Sequence, residues 1–336
     1  MRRNKRLRRS PWKGLDVSSV TVVIPFYQKQ SGILSRALDS VFGQGGVTPS
    51  IIVVDDASPV PAQAEIACRP PSEQARVTLV RQDNAGPGGA RNTGLDRVPD
   101  DTTHVAFLDS DDVWHAGHLA ASLDAMGRFD ADCCFATITG GDDFDYHSAV
   151  DALAGRPGFT TLSNEPLMLV ADGLASRMLE DWSYLHLSCM VMGPSVFRTV
   201  RFDPELRLAA EDILFMNESV SAARRTILSG HTGAVRGEGA NIFHGITNTA
   251  PSYLAQQFNT LRALKLLSQR ATPDDEASAA LAGRSERARR EALWGQVVRS
   301  RRGKAPQLGL LARWARTDPA IVRSAIRLCL SKLRKT

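Results

Sequence analysis

The stretch Val105-Ala-Phe-Leu-Asp-Ser-Asp-Asp-Val-Trp114 joins a short apolar run to a cluster of oxygen-bearing side chains. The apolar run predicts a buried strand over His104–Leu108. In open α/β sheets, ligands bind beyond the carboxyl ends of the strands, which is where Asp109-Ser110-Asp111-Asp112 would lie. Carboxylates at this spacing suit Mg²⁺ or Mn²⁺, so the stretch predicts a sheet with a metal site at its edge, with a solvated acidic turn as the alternative.

Three earlier β-branched runs predict further strands, over Val20–Pro25, Ile51–Val54 and Val77–Arg81, and helical spacing predicts a crossover helix over Ile33–Phe42. This alternation is typical of βα units that build a mostly parallel sheet. The second strand runs into Asp55-Asp56, so five carboxylates are expected at one sheet edge. Like charges at close range repel each other, which favours a bound cation or hydrogen-bond donors from a ligand.

The composition is that of an ordinary globular protein. The chain has 336 residues, of which 43% are hydrophobic and 23% charged, which excludes collagen, coiled coil and wholesale disorder. Five scattered cysteines without a CxxC pair argue against a disulfide framework and a structural zinc site. Neither a membrane-length apolar run nor a secretion signal is present, so we expect a cytoplasmic protein.

Positive charge is concentrated at the two ends of the chain. Residues 1–13 carry seven Lys or Arg, and residues 299–336 carry eleven with a single acid, although the net charge is only +5. An acidic body with basic ends does not fit a nucleic-acid binder, so we expect no nucleic-acid partner. The tail also places four apolar residues on one helical face: Val322, Ile326, Leu330 and Leu333. This basic amphipathic helix predicts contact with an anionic membrane surface, with a solvated tail as the alternative.

Two further segments carry groups suited to binding or catalysis. Asn84–Gly94 is glycine-rich and contains Arg91, so it can approach phosphate or sugar closely, and a helix is expected to open at Gly89–Asp96. It fits neither a dinucleotide fingerprint nor a Walker loop. The alternative to a phosphate- or sugar-binding segment is a flexible loop in which Arg91 pairs with a local carboxylate. Glu211-Asp212 at a predicted helix start offers a rigid carboxylate, the best candidate for a general base.

Elsewhere the pattern is uneven. From Thr137 to Leu187 the periodicity weakens, which predicts irregular structure with one or two helices, whereas the region 252–298 is helical by pattern. The cluster Asp142-Asp143-Asp145 is a rival metal site on composition, but it follows no clear strand, which favours a solvated loop.

Five motifs resemble, in order and spacing, the inverting family 2 glycosyltransferases of the GT-A fold: Ile24–Tyr27, Val53–Ser58, Asn84–Gly94, Phe107–Trp114 and Ala210–Asp212. The resemblance covers residues 19–245. It implies transfer of a sugar from a nucleotide-diphosphate donor to an acceptor hydroxyl in glycan or polysaccharide synthesis, with Mn²⁺ or Mg²⁺ as cofactor. Departures at Gln28, Ala116 and Ala209-Ala210 remove no charge that this mechanism needs.

The resemblance also implies roles for residues around the nucleotide. Pro25 and Tyr27 would line the base pocket, and Asp56 would contact the base. Arg91 would lie near the nucleotide-sugar, and Asp109 near the ribose or donor sugar.

Metal binding and catalysis are assigned in the same way. Asp111, with Asp109 beside it, would ligate the divalent cation, and Asp212 would deprotonate the acceptor. The segment from Arg236 to His244 resembles the part of the family that closes over the diphosphate, which makes Arg236 and His244 candidate phosphate or metal contacts. Four residues are candidates for stacking on an acceptor sugar, with core packing as the alternative: Trp114, Trp182, Tyr184 and His186.

We therefore expect an α/β protein with a GT-A type, Rossmann-like mixed sheet and a C-terminal helical extension. Residues 1–18 would form a basic tail, 19–250 the glycosyltransferase domain with a nucleotide-binding half (19–115) and an acceptor half (116–250), and 251–336 the extension with its basic amphipathic tail. The acceptor would be a glycan or a lipid-linked glycan, reached from the inner face of the cell membrane.

Two other functions remain open at this point. A sugar nucleotidyltransferase usually carries a glycine-rich loop with Arg and Lys directly after the first strand, where this chain has Phe26-Tyr27-Gln28-Lys29. A non-catalytic glycan-binding or scaffold protein on the same fold is the second alternative.

Overall fold

A mixed β-sheet forms the centre of the protein. The computed structural model describes residues 19–140, 149–237, 247, 248, 250–270 and 275–333. Within them the strands are β1 (Val20–Phe26), β2 (Ser50–Asp55), β3 (Val77–Arg81), β4 (His104–Phe107), β5 (Val113–Trp114), β6 (Cys133–Thr139), β7 (Phe159–Asn164), β8 (Leu167–Ala171), β9 (Met190–Met192) and β10 (Thr226–Val235).

Within the described residues, helices lie between the strands along the chain, follow the last strand and pack against the sheet. They are α1 (Ile33–Phe42), α2 (Ala62–Ala67), α3 (Pro71–Gln74), α4 (Gly86–Leu95), α5 (His118–Phe129), α6 (Ala149–Leu153), α7 (Leu174–Glu180), α8 (Pro194–Phe197), α9 (Glu211–Ala222), α10 (Tyr253–Arg270), α11 (Asp275–Arg301), α12 (Leu308–Thr317) and α13 (Ala320–Leu333).

The strand order is β3-β2-β1-β4-β9-β6-β10-β8-β7, with β5 paired to β10. Strands β3, β2, β1 and β4 run parallel, as the βα pattern predicts, whereas β9 lies antiparallel between β4 and β6. Pro25 pairs with Val54 and Phe26 with Asp55, so β1 and β2 end at the same level. The mixed sheet is confirmed, and the residues that follow these strands meet at one edge.

Side chains of the central strands alternate between two cores. Val22 and Ile24 of β1 pack in one core with α1, α2 and α5, while Val23 between them packs in the other with α7, α9 and α10. This period of two is the geometry of a strand with both faces buried. The sheet is therefore covered on both sides.

The C-terminal helices share the larger of these cores. Leu264 of α10 and Leu281 of α11 are buried in it, and a second cluster forms around Phe258, Trp314 and Ile321. An ion pair of 2.6 Å between Arg289 and Asp318 ties α11 to the segment between α12 and α13. The predicted helical extension is thus packed against the sheet domain.

Two local predictions were wrong. Helix α4 begins at Gly86, three residues before the expected Gly89, because the backbone N–H groups of Ala85 and Gly86 are satisfied by the Asp56 carboxylate at 2.7 and 2.8 Å. The segment expected to be irregular contains the hairpin β7–β8, which pairs with β10 at the sheet edge. Residues 1–18 and the Asp142-Asp143-Asp145 cluster lie outside the described residues.

No helix in the described part of the chain is both long enough and apolar enough to cross a bilayer.

Helix α4 packs tightly on β1, which gives a test of the fold. A Cβ atom on Gly94 would lie 2.3 Å from Cγ1 of the fully buried Val23. We expect Gly94→Ala to lower the free energy of unfolding by about 1–3 kcal/mol through overpacking, measured by urea denaturation. Gly127→Ala on α5 is the control, because nothing lies within 4 Å of the added carbon; it should stabilise by up to about 1 kcal/mol.

Equal effects of Gly94→Ala and Gly127→Ala would contradict this packing of α4 on the sheet.

Candidate active site

A cleft of about 800 Å³ opens at the carboxyl ends of β1, β2 and β4. All but one of the residues predicted for the site line it: Pro25, Tyr27, Asp56, Arg91, Asp109, Asp111 and Asp212. The exception is His244, which lies outside the described residues. Arg236, the candidate phosphate contact, also lines the cleft. The tertiary structure therefore brings together motifs that are up to 187 positions apart, from Pro25 to Asp212.

The two acids that follow β2 have separate structural partners. Asp55 accepts hydrogen bonds from the backbone N–H groups of Ser58 (2.8 Å) and Ala62 (3.0 Å), which fixes the start of α2. Asp56 accepts from the amide of Gln82 (2.7 Å) and from the start of α4. Of these two acids, only Asp56 lines the cleft. Four of the five carboxylates expected at this sheet edge therefore line it: Asp56, Asp109, Asp111 and Asp112.

Arg91 on α4 is buried between the two acidic segments of the cleft. Its Nη2 donates to Asp109 Oδ1 at 2.5 Å, and its Nη1 lies 3.8 Å from Glu211 Oε1. The guanidinium carbon lies 5.4 Å from the ring centroid of Phe202. Among the described residues, Nε and Nη1 have no hydrogen-bond partner. Desolvation opposes the charge, but Asp109 and Glu211 outweigh it and raise the pKa of Arg91.

The glycines of α4 allow neighbouring protein groups to pack closely, and they do not leave an open cavity for a ligand. A Cβ atom on Gly88 would lie 3.1 Å from Cβ of Phe202 and 3.4 Å from Cγ of Glu211. A side chain there would push the start of α9 away from Arg91. The glycine-rich pattern therefore serves the close packing of α4 against the segment 202–211.

Asp109, Asp112 and His186 form a group whose ligand atoms all lie within 4.8 Å of one another. Asp111 lines the cleft beside them, and burial together with repulsion from Asp112 and Asp109 raises its pKa to about 7. The donor set of carboxylate oxygens and an imidazole nitrogen fits a divalent cation, which would also relieve this repulsion. Asp109 was expected in this group, whereas Asp111, the first predicted metal ligand, is not one of its three members, and the sequence pattern gave no signal for His186 as a ligand.

Asp112 connects the acidic loop to two other segments. Its carboxylate accepts from Ser188 Oγ at 2.6 Å and from the backbone N–H of Gly237 at 3.0 Å. A Cβ atom on Gly237 would lie 1.6 Å from the carbonyl oxygen of Asp111, so only glycine fits there. The end of β10 is thereby held directly against the acidic loop.

Glu211 and Asp212 open α9, as predicted. Glu211 is buried, and desolvation with the neighbouring Asp212 raises its pKa to about 8. Asp212 is half-buried and accepts from the backbone N–H of Ile213 at 2.8 Å. The preceding Ala210 has a φ of 62°, a left-handed conformation that costs a residue with a side chain roughly 1–2 kcal/mol. This turn directs Asp212 into the cleft.

Helix α10 supports the loop that leads into this turn. With its amide oriented to satisfy both groups, Asn259 accepts hydrogen bonds from the backbone N–H groups of Arg207 (3.1 Å) and Leu208 (3.0 Å). Arg262, one turn further along, forms an ion pair with Glu205. The helical extension therefore fixes the backbone just before the candidate base, a role that no local sequence pattern indicated.

The aromatic candidates divide between core and cleft. Trp114 is buried, and its indole N–H donates to the carbonyl of Ser188 at 2.6 Å, so it belongs to the core. Trp182 and His186 line the cleft. Gln28, which departs from the family pattern, donates to Ser110 Oγ at 3.0 Å and links the ends of β1 and β4.

Comparison with known proteins gives the family. A model described as "Glycosyl transferase family 2" matches residues 21–172. The succinoglycan biosynthesis protein ExoW of Rhizobium meliloti (strain 1021) is 50% identical over 319 residues, which is 95% of this chain and 100% of ExoW. The chain belongs to glycosyl transferase family 2. It is therefore a glycosyltransferase, and the alternatives of a scaffold protein and a nucleotidyltransferase are set aside.

Solved structures share the fold of this glycosyltransferase. S. aureus TarS 1-349 in complex with UDP-GlcNAc matches with a TM-score of 0.58 and 16% identity, over 82% of this chain and 81% of that chain. The mannosyltransferase PcManGT from Pyrobaculum calidifontis, in complex with GDP-Man and Mn²⁺, matches with a TM-score of 0.56 and 15% identity, over 93% and 87%. The predicted GT-A fold is confirmed.

The buried Glu211 gives a prediction on pH. Its pKa rises from 4.5 to about 8 on folding, so its contribution to stability is present at low pH and is lost as the pH rises through 8. We expect the stability of Glu211→Gln relative to wild type to increase from pH 5 to pH 8 and to level off above pH 8, measured by urea denaturation. A stability difference that does not change with pH would contradict the buried, proton-binding state of Glu211.

Proposed function

We propose that this glycosyltransferase is a metal-dependent, inverting enzyme that transfers a sugar from a nucleoside-diphosphate donor to an acceptor hydroxyl during polysaccharide synthesis. The observation that carries the proposal is the single cleft in which Arg91 links Asp109 of the acidic loop to Glu211, the neighbour of Asp212. An inverting transfer needs one base and one means of neutralising the leaving diphosphate, and this cleft offers both.

Asp212 is the general base in this proposal. It would accept the proton of the acceptor hydroxyl as that oxygen forms a bond to the anomeric carbon, while the bond from this carbon to the diphosphate oxygen breaks on the opposite face. The position at the start of α9, with Asn259 and Arg262 fixing the preceding loop, keeps the carboxylate in place. A second, nucleophilic carboxylate is not required.

Residues around the acidic loop would bind the donor. Asp109, Asp111, Asp112 and His186 are the groups that would hold Mn²⁺ or Mg²⁺, and the bound cation would neutralise charge on the leaving diphosphate. Arg236 lines the same part of the cleft and suits a phosphate contact. Pro25, Tyr27 and Asp56 remain the candidates for the nucleotide base, and His244 stays a prediction as a metal ligand.

Relatives support the donor and product classes. Among the structural neighbours, TarS has been solved in complex with UDP-GlcNAc, and the mannosyltransferase in complex with GDP-Man and Mn²⁺. ExoW, at 50% identity, is described as a succinoglycan biosynthesis protein. We infer that the donor is a nucleoside-diphosphate sugar and that the acceptor is a glycan or a lipid-linked glycan.

Titration calorimetry with UDP, GDP, ADP and CDP, with and without Mn²⁺, tests this function. We expect one nucleotide to bind in a metal-dependent way, and Asp111→Asn to weaken that binding at least about tenfold, because it removes a proposed metal ligand. Asp212→Asn should bind the nucleotide as wild type does, yet transfer sugar about a hundredfold or more slowly. Absence of binding by all four nucleotides would overturn the proposal.

We further propose that the protein works peripherally on the inner face of the cell membrane through α13. Three apolar side chains four residues apart are more than half exposed: Val322, Ile326 and Leu330. Arg323 and Arg327 are exposed next to them. An apolar stripe flanked by basic residues is suited to the headgroup region of anionic lipids.

Sedimentation with vesicles of phosphatidylglycerol and phosphatidylcholine tests the role of α13. The triple variant Val322→Gln, Ile326→Gln, Leu330→Gln should lose binding by about tenfold or more, because each buried apolar side chain contributes about 1.5–3 kcal/mol when fully desolvated. Removal of α12 and α13 is unsuitable, since Trp314 is fully buried in the extension. Leu308→Gln on α12, 66% exposed, is the control. Unchanged sedimentation of the triple variant would exclude this contact.

A further inference from the structure

Part of the cleft wall comes from the C-terminal helices rather than from the sheet domain. Gln256 and Thr260 of α10 and Arg284 of α11 line the same cleft as the acidic loop. Gln256 and Thr260 are four residues apart, so they lie on one face of α10. Amide, hydroxyl and guanidinium groups all hydrogen-bond readily to hydroxyl oxygens.

Arg284 and Trp182 form the centre of this wall. The Arg284 guanidinium carbon lies 4.9 Å from the ring centroid of Trp182, and its Nη2 donates to the carbonyl of Glu180 at 2.5 Å. The guanidinium therefore stacks on the indole and fixes the end of α7 from which Trp182 extends. An arginine has five N–H donors, so this bond leaves others for a ligand.

Charge at this wall differs from charge at the acidic loop. Burial lowers the pKa of Arg284, and Asp181 opposes this effect. The acidic loop has a cluster of carboxylates suited to a cation and a diphosphate, whereas this wall has an aromatic ring, a guanidinium with the single carboxylate of Asp181 near it, and two neutral polar groups. An aromatic face beside several hydrogen-bond donors is suited to a sugar ring, whose C–H face packs on the aromatic group while its hydroxyls bind the donors.

The size of the cleft is compatible with two substrates. Its volume of about 800 Å³ lies in the upper part of the range for small-molecule sites, about 300–1,000 Å³. The donor end is accounted for by the strand ends and the acidic loop. Trp182, Gln256, Thr260 and Arg284, which also line the cleft, are assigned no role at that end.

We propose that Trp182, Arg284, Gln256 and Thr260 form an acceptor subsite that binds a pyranose ring of the acceptor glycan, so that the helical extension is part of acceptor recognition. This inference rests on the proposed transferase function and deepens it. The sugar ring packs on the part of the Trp182 indole that lines the cleft, and Arg284, whose guanidinium lies over the indole ring, supports that ring and donates to sugar hydroxyls. Donor binding does not depend on this subsite.

Ligand-detected NMR on the full chain, in the presence of Mn²⁺ and whichever of the four nucleoside diphosphates binds in calorimetry, tests the subsite. The probes are the neutral tetrasaccharides cellotetraose, laminaritetraose, chitotetraose and maltotetraose. We expect at least one to bind wild type, and Arg284→Ala and Trp182→Ala to weaken that binding about tenfold or more. Arg284→Lys and Trp182→Phe should retain much of it, because a cation or an aromatic face remains.

The matched control is Arg290→Ala, an exposed arginine on the same helix that does not line the cleft. It should bind the tetrasaccharide and that nucleotide as wild type does, and all variants should bind the nucleotide with unchanged affinity. If wild type binds the nucleotide but none of the tetrasaccharides, or if Arg284→Ala and Arg290→Ala bind them equally, the subsite is excluded. If wild type fails to bind nucleotides, the proposed function fails instead.

Discussion

The buried guanidinium of Arg91 makes an acidic cleft compatible with this fold. It pairs with Asp109, which follows β4, and lies near Glu211, which opens α9, so it joins two acidic segments that are far apart in sequence. Taking a guanidinium out of water is costly, and Asp109 is the main group that offsets that cost, followed by Glu211. Burial and repulsion between neighbouring carboxylates still raise the pKa of Asp111 to about 7 and that of Glu211 to about 8, so one guanidinium does not neutralise the cleft. The cleft is therefore suited to a cationic partner.

The other features of the site depend on this placement. Helix α4 can bring Arg91 close to α9 only because Gly88 has no side chain between Phe202 and Glu211. The start of α4 is in turn fixed by Asp56, which accepts hydrogen bonds from the backbone N–H groups of Ala85 and Gly86. The carboxylate of Asp56, at the end of β2, thus positions α4, the helix that carries the guanidinium of Arg91. Asp112 likewise has a structural role, because its contacts with Ser188 and Gly237 fix the acidic loop.

The C-terminal helices are structurally coupled to the segment that carries the candidate base, Asp212. Asn259 and Arg262 of α10 fix the loop before Asp212, and α11 bears Arg284 at the cleft and Arg289 at its pair with Asp318, next to α13. Helix α11 therefore connects the cleft with the helix that we propose to contact the membrane. This arrangement is suited to an enzyme whose acceptor is held at a membrane surface, because the proposed acceptor subsite and the helix proposed to contact the membrane belong to one packed unit.

The sequence by itself determined the βα order, the acidic loop after β4, the helix start at Glu211-Asp212 and the chemistry expected of them, because strand periodicity and charge at strand ends are local properties. It did not reveal the hairpin β7–β8, the position of His186 beside Asp109 and Asp112, or the support of the loop before Asp212 by Asn259. These depend on contacts between segments that only the folded chain brings together: β8 pairs with β10, His186 meets Asp109 and Asp112, and α10 packs against the loop before α9. Tertiary structure alone decided which of the predicted polar residues face the cleft and which, like Asp55, complete a backbone turn.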